Sequence, residues 1–243
     1  MPMSNANTEH RLPHKPAEAV AALGEGGRFG AAFLRLHGRR LLLVFAGVLL
    51  PLWGFLELAE DLRAGHAFFF DQPLLAWAHA LARGGWDVFF VRISELGYSY
   101  GLIPADILLV AVLALRRHLR EGLFAGTAII GSALLNIGAK HLFARARPSL
   151  WESIAPESTF SFPSAHAMGT MTLAAVLILL AWRTRWRWPV AVAMAAFTAL
   201  VGLSRIYLGV HYPSDILAGW AAALVWTVGV YAVVFHRRKP WQD

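Results

Sequence analysis

Six apolar runs punctuate this chain, and they leave it few ways to fold outside a bilayer. They fall at about Leu41–Ala59, Tyr98–Leu115, Gly122–Lys140, His166–Trp182, Trp188–Ser204 and Ser214–Phe235. A helix crosses the hydrocarbon layer with roughly 17–25 residues at about 1.5 Å each. The composition agrees, with 57% hydrophobic and 15% charged residues among 243. That is too little charge to cover a soluble domain of this size. The expected fold class is all-α: six transmembrane helices in a bundle, with short interfacial helices on one side.

The charges lie between the runs and give the bundle an orientation. With the N-terminus inside, fifteen of the 22 Lys and Arg residues fall on inner segments. The clusters Arg35-Arg39-Arg40, Arg116-Arg117-Arg120, Arg183-Arg185-Arg187 and Arg237-Arg238-Lys239 all land on that side. The positive-inside rule therefore predicts both termini in the cytoplasm. No continuous basic stripe accompanies the net charge of +7, so nucleic acid is not an expected partner. The chain has no Cys, which excludes disulfides, thiol catalysis and Cys-ligated metals. Residues 1–40 read as a largely disordered cytoplasmic tail without a cleavable signal peptide, and the first run as an uncleaved anchor. The membrane domain is expected over 41–235, with a short cytoplasmic tail over 236–243.

Residues 60–97 form a long outer segment. Asp71 and Pro73 read as a helix start, the carboxylate capping free N–H groups. Leu74, Leu75, Trp77, Ala78 and Leu81 follow at helical spacing, and Trp86, Phe89, Phe90 and Ile93 repeat the pattern. Two short helices at the outer interface are expected.

Seven cations remain outside. Arg63, Arg83 and Arg92 belong to the interfacial segment. Lys140, Arg145, Arg147 and Arg205 sit at the outer ends of spans. Snorkelling to headgroups accounts for any one of them, but the same loops also carry paired histidines. Ser164 is a natural N-cap for the fourth span, and a helix starting there offers free N–H groups and its positive dipole end to an anion. His166 lies at the same mouth. Arg205 supplies a forked cation suited to phosphate oxygens. His211 and Asp215 are four apart across a helix start, so the carboxylate can hold one ring nitrogen and leave the other free to attack. Arg145 reads either as an addition to the phosphate field or, slightly favoured, as a lipid headgroup contact, and Glu152 and Glu157 read as loop solubilisers. Asp106, inside the second span, reads equally as a buried inter-helix hydrogen bond or a functional group.

These residues fall into three motifs. Lys140 through Arg147-Pro148 has the form Lys-x6-Arg-Pro. Pro163-Ser164-Ala165-His166 differs at one position from Pro-Ser-Gly-His. Ser204-Arg205 through His211 to Asp215 has the form Ser-Arg-x5-His-x3-Asp. In this order the set resembles the type 2 phosphatidic acid phosphatase superfamily, the lipid phosphate phosphatases. The resemblance implies a membrane hydrolase acting on a lipid phosphate through a phosphohistidine. His211 would be the nucleophile, Asp215 its orienting partner, and His166 the acid and base. Lys140, Arg147 and Arg205 would hold the phosphate, with Ser164 and the Ala165 amide completing the cradle. No cofactor and no metal are expected, since three fixed cations can neutralise the transferring group.

Among bacterial members an outward-facing site suits undecaprenyl diphosphate. Phosphatidylglycerophosphate, phosphatidic acid and lipid A phosphates are the alternatives, because the motifs read the phosphate and not the tail. The implied location is the bacterial inner membrane, with the site facing outward among membrane lipids. A non-enzymatic anionic-lipid transporter is a distant second reading, disfavoured by a charge cluster at one face and the lack of internal repeats. The soluble vanadium-dependent haloperoxidases share the motifs by resemblance, but six apolar runs speak against them.

Overall fold

Each apolar run becomes a helix in the computed structural model, which describes residues 44–82 and 85–242 together with 35, 38, 41 and 42. The chain divides into two units, Met1–Val44 and Phe45–Asp243. Apart from Arg35 and Gly38, the expected tail over 1–40 lies outside the described residues. The second unit opens with a π-helical stretch, Phe45–Leu49, leading into α1 (Leu50–Arg63). Then come α2 (Asp71–Leu81), α3 (Asp87–Leu96), α4 (Leu102–Leu115), α5 (Leu119–Phe143), α6 (Ala165–Ala181), α7 (Arg187–Tyr207) and α8 (Pro213–Val234). No strand occurs among the described residues. By length and composition, α5, α7 and α8 are able to cross a membrane, while α4 and α6 are shorter apolar helices of 14 and 17 residues.

The second run loses its first four residues to a turn. Tyr98 and Tyr100 both donate their amides to the Glu95 carbonyl, and the helix begins only after Gly101. Pro104 is tolerated because it falls in the first turn, where no amide partner is lost.

The bundle has an apolar exterior and a hydroxyl-bearing interior. Ile107 and Leu108 of α4, Ile130 and Leu134 of α5, Val192 of α7 and Val233 of α8 are exposed, while Ser132, Asn136, Thr170, Thr172, Thr198 and Thr227 are buried. Where lipid replaces water, apolar side chains gain nothing by turning inward, and small or polar residues do the joining instead. Ser132 and Thr172 bond at 2.8 Å between α5 and α6. Trp226 of α8 donates to the Ala128 carbonyl of α5 at 3.0 Å. The central helix α6 packs against α4, α5, α7 and α8, and α1 lies against α8. Gly219 allows the closest α6–α8 approach: a Cβ there would come within 2.9 Å of the Ser164 carbonyl oxygen.

At one end α2 packs on α7 and α8, and α3 on α7. Phe90 of α3 stacks on Tyr207 at 4.1 Å, and the Tyr207 hydroxyl donates to Asp87 at 2.6 Å. Leu208 and Val210 complete this cluster, which anchors the short turn between α7 and α8. At the other end the C-terminal residues fold back: the Trp241 amide reaches Glu121 of α5 at 2.7 Å, and its indole reaches the Leu180 carbonyl of α6 at 2.8 Å.

Candidate active site

Four helix ends meet under α2 and α3: the C-termini of α5 and α7 and the N-termini of α6 and α8. Ser164 caps α6, its hydroxyl oxygen accepting from the Ala167 amide at 3.4 Å. Its own amide donates to the Asp215 carbonyl at 3.1 Å, tying the starts of α6 and α8 together. That amide is therefore occupied, and the part of the expected cradle left to Ser164 is its hydroxyl proton. Ala165 is the first residue of α6 and is half-buried.

Asp215 is the third residue of α8 and closes a capping box with Tyr212, accepting the Tyr212 amide at 2.8 Å. The same oxygen accepts from Ser161 at 2.5 Å and lies 3.4 Å from His211 Nδ1. Ser161 Oγ is also 3.3 Å from that nitrogen. His211 is wholly buried, and its other nitrogen, Nε2, lies 3.1 Å from Arg147 Nη1. Burial above all, then the Arg205 and Arg147 guanidinia, holds the His211 imidazole well below its ordinary pKa. It is neutral at pH 7, as a nucleophile must be. The chain reaches His211 through Gly209 at φ +69°, where any Cβ would also strike the Trp151 indole at 2.6 Å.

The three expected phosphate ligands come together. Lys140 Nζ donates to Thr159 at 2.9 Å and to the Phe160 carbonyl at 2.6 Å. Arg147 Nε bonds the Thr159 carbonyl and Nη1 the Val210 carbonyl, both at 2.6 Å. Arg205, almost wholly buried, donates to Ser94 of α3 and keeps its Nε buried without a partner.

Between the guanidinia sits Glu157, which sequence reading made a loop solubiliser. Its carboxylate accepts from Arg147 at 2.6 Å and from Arg205 through its other oxygen, so it belongs to the charge cluster. Burial pushes its pKa up, but Arg205 and Arg147 outweigh that and hold it below the usual carboxylate range. Glu152 is exposed. His166, in the first turn of α6, stacks on the Tyr98 ring at 4.8 Å, and its Nδ1 lies 3.9 Å from Glu157.

Arg145 also departs from expectation. It is mostly buried. It donates to Asp215 Oδ1 at 2.5 Å, Ser214 Oγ at 2.8 Å and Asp71 Oδ2 at 2.9 Å, with its guanidinium 4.0 Å from the Tyr212 ring centre. Asp71 begins α2 as expected but caps a different helix. Its Oδ1 accepts the Ser214 amide at 2.9 Å and its Oδ2 the Ser214 hydroxyl at 2.6 Å, both in the first turn of α8. Asp106 makes no inter-helix bond through Oδ1, which is buried and unpartnered. Arg145, Glu157, Asp71 and Ser161 are the residues that spacing in the sequence missed.

This arrangement can hold a tetrahedral anion against cationic donors beside a neutral imidazole backed by a carboxylate. Comparison with known proteins gives that chemistry relatives. Residues 121–239 match the PAP2 superfamily. The chain is 30% identical over 177 residues to phosphatidylglycerophosphatase B of Bacillus subtilis, covering 70% of this chain and 86% of that one. It is 40% identical over 124 residues to decaprenylphosphoryl-5-phosphoribose phosphatase of Mycobacterium tuberculosis, half of this chain and 64% of that one. It is 32% identical over 135 residues to undecaprenyl-diphosphatase of Sulfolobus acidocaldarius, 54% of this chain and 62% of that one. Both of the latter matches take in just under two thirds of the relative. Among solved structures, the transmembrane PAP2-type phosphatidylglycerolphosphate phosphatase of Bacillus subtilis superposes with a TM-score of 0.66 at 26% identity, over 75% of this chain and 94% of that one.

Proposed function

The chain belongs to the PAP2 superfamily, and from that membership we propose that it is a membrane hydrolase removing the terminal phosphate of a lipid phosphate or diphosphate. The observation that carries the reading is one constellation: Arg147 and Arg205 paired to a single carboxylate, Lys140 joined to Arg147 through the Thr159 hydroxyl, and His211 Nε2 at 3.1 Å from Arg147. In this reading the substrate phosphate takes the seat that Glu157 holds, and the buried Arg205 Nε gains its missing acceptor.

His211 Nε2 attacks phosphorus, the bond from phosphorus to the leaving oxygen breaks, and His166 gives that oxygen its proton. His166 then takes a proton from water, the resulting oxygen attacks the phosphohistidine, and the P–N bond breaks to release inorganic phosphate. Asp215 and Ser161 hold Nδ1 throughout, fixing the tautomer that leaves Nε2 free. The guanidinia and the ammonium neutralise charge on the transferring group without a bound metal.

We further propose that the membrane domain spans residues 41–235 with six crossings. Both termini would lie in the cytoplasm and the site on the outer face, as the basic loops indicate. Undecaprenyl diphosphate is the substrate proposed first, with phosphatidylglycerophosphate, phosphatidic acid and lipid A phosphates as alternatives; relatives are named for undecaprenyl diphosphate, phosphatidylglycerophosphate, decaprenylphosphoryl-5-phosphoribose and lipid A. The test is alkali-quenched turnover of a lipid radiolabelled on its terminal phosphate. Wild-type protein should release phosphate and carry an acid-labile, base-stable label, and His211→Ala should show neither. Undiminished release by His211→Ala would overturn the assignment.

A further inference from the structure

A cavity of about 280 Å³ lies among α4, α5 and α6 and reaches two neighbours of His166. Tyr98, whose ring stacks on that histidine, and Ala165, which precedes it, both line the cavity. A group leaving from a phosphate protonated by His166 departs beside residues that line this cavity.

Besides Tyr98, the wall carries four polar side chains, Asp106, Ser132, Asn136 and Thr172. Three of them are occupied within the fold. Ser132 and Thr172 bond each other at 2.8 Å, Thr172 also donates to the Met168 carbonyl at 2.8 Å, and Asn136 donates to the Pro163 carbonyl at 3.1 Å. Asp106 differs: its Oδ1 is buried with no hydrogen-bond partner. An unsatisfied carboxyl oxygen in an apolar helix is costly, and such a group is kept where a ligand or a neighbour completes it. No neighbour does so here, and the oxygen belongs to a cavity-lining residue.

Depth follows from helix geometry. α4 and α6 run in the same direction from the site end, and Leu102 lies over Gly169, close enough that a Cβ there would meet it at 2.6 Å. Asp106 is one further turn along, about 6 Å deeper, level with Thr172. The carboxyl thus lies roughly 10 Å along the helix axes from His166, a depth reached by the near part of the alcohol and not by the far tail.

We propose that Asp106 selects lipid phosphates whose leaving alcohol carries a hydroxyl near the scissile ester, by accepting that hydroxyl's hydrogen bond inside the cavity. This rests on the phosphatase reading above and narrows its substrate class. Glycerol- or sugar-bearing lipid phosphates have such a hydroxyl; a plain polyprenyl chain does not. A site built to bond a hydroxyl disfavours the analogue lacking it, because its own buried oxygen is then left bare.

The experiment uses full-length protein and a matched set of alkyl phosphates of equal length. They differ by one hydroxyl on the second, third or fourth carbon beyond the ester oxygen. Wild type should prefer at least one hydroxylated member about tenfold or more in kcat/KM. Asp106→Leu should lose that preference by slowing on the hydroxylated member alone, and Asp106→Asn should keep part of it. Equal rates on all members, or an Asp106→Leu loss shared equally with the plain alkyl phosphate, would overturn the selector. A second arm needs no turnover: the corresponding alcohols are added and thermal stabilisation of the protein is read. The hydroxylated alcohol should stabilise wild type more than Asp106→Leu, and equal shifts would refute the proposal. Should no phosphate be released from any member, the phosphatase reading fails, and this second arm still decides the role of Asp106.

Discussion

Removing the Arg145 guanidinium tests the site's architecture most severely, because two buried carboxylates depend on it. In Arg145→Gln, Asp215 and Asp71 keep their places on either side of Ser214 and lose the cation between them. Their side chains are 0% and 5% exposed, and that of Arg145 is 13% exposed. Deleting one partner of a buried ion pair costs about 3–5 kcal/mol, since the remaining charge stays desolvated. Backbone and hydroxyl donors from Tyr212, Ser161 and Ser214 survive the change, so the lower end, about 3 kcal/mol, is expected. For a unit of this size that lowers Tm by about 6–12 °C. Asp215 also loses the bond that fixes its second oxygen, and the His211 ring it orients becomes free to tilt. Misplacement of a reacting group by about 1 Å costs roughly a hundredfold, or about 2.7 kcal/mol in kcat.

Phosphate release in detergent micelles and thermal unfolding by tryptophan fluorescence measure the two quantities. Two further variants separate charge balance from general damage. Asp71→Asn in the Arg145→Gln background removes one of the orphaned charges and should recover about 2 kcal/mol of stability, a coupling expected only for residues in one network. Arg145→Lys keeps a cation without the fork and should fall between wild type and Gln in both readouts. A variant Arg145→Gln within threefold of wild-type rate and 1 kcal/mol of its stability would refute the reasoning and return Arg145 to the headgroup layer.

Other outcomes follow from the same geometry. Glu157→Gln removes the carboxylate competing for the clamp, so inorganic phosphate should inhibit about tenfold more tightly, as an inhibition series will show. The same carboxylate raises the His211 pKa against Arg205 and Arg147. Its loss should therefore move the acid limb of kcat/KM to lower pH, the profile that reports the free enzyme; movement towards neutrality would contradict the assignment. Ala165→Gly should change kcat/KM by less than about tenfold, about 1.4 kcal/mol, because Ala keeps the amide and already opens α6 without distortion. Dialysis against a chelator should leave the rate within about twofold, because the charge on the transferring group is met by fixed side chains.

The helices were legible because each apolar run is local. Ser164 could be named as a cap, and His211 with Asp215 as a pair, from spacing alone, because a cap and an i,i+4 contact are decided within one turn. Arg145 meets Asp71 across 74 positions and Asp215 across 70, so its partners depend on how α2 settles over α8. Asp71 shows the limit well. A carboxylate before an apolar helical pattern reads as the cap of its own helix, but tertiary packing gives it the Ser214 amide of α8 instead. Tyr98 likewise began the second run by hydropathy, yet its ring lies on His166 because the turn after Glu95 removes it from the helix.

The two misread charges, Arg145 and Glu157, solve opposite problems. Around Arg145 one cation faces two carboxylates, Asp71 and Asp215, and hydroxyl and amide donors meet the excess negative charge. That cluster spends its one cation on two buried carboxylates, as befits a part that holds the nucleophile's partner still. Around Glu157 two guanidinia pair with one carboxylate, Lys140 adds a third positive charge to its field, and the buried Arg205 Nε has nothing to bond. The excess there is two positive charges, matching a phosphate dianion. Without Glu157, Arg147 and Arg205 would have only each other's repulsion and burial to contend with, and burial already depresses the Arg147 pKa. A resident carboxylate thus keeps the empty clamp assembled, yet it is singly charged and on a loop, so a dianion with more oxygens can replace it. Binding then becomes an exchange of one anion for another, with affinity set by the difference between them, and the clamp stays weak enough to let product phosphate go.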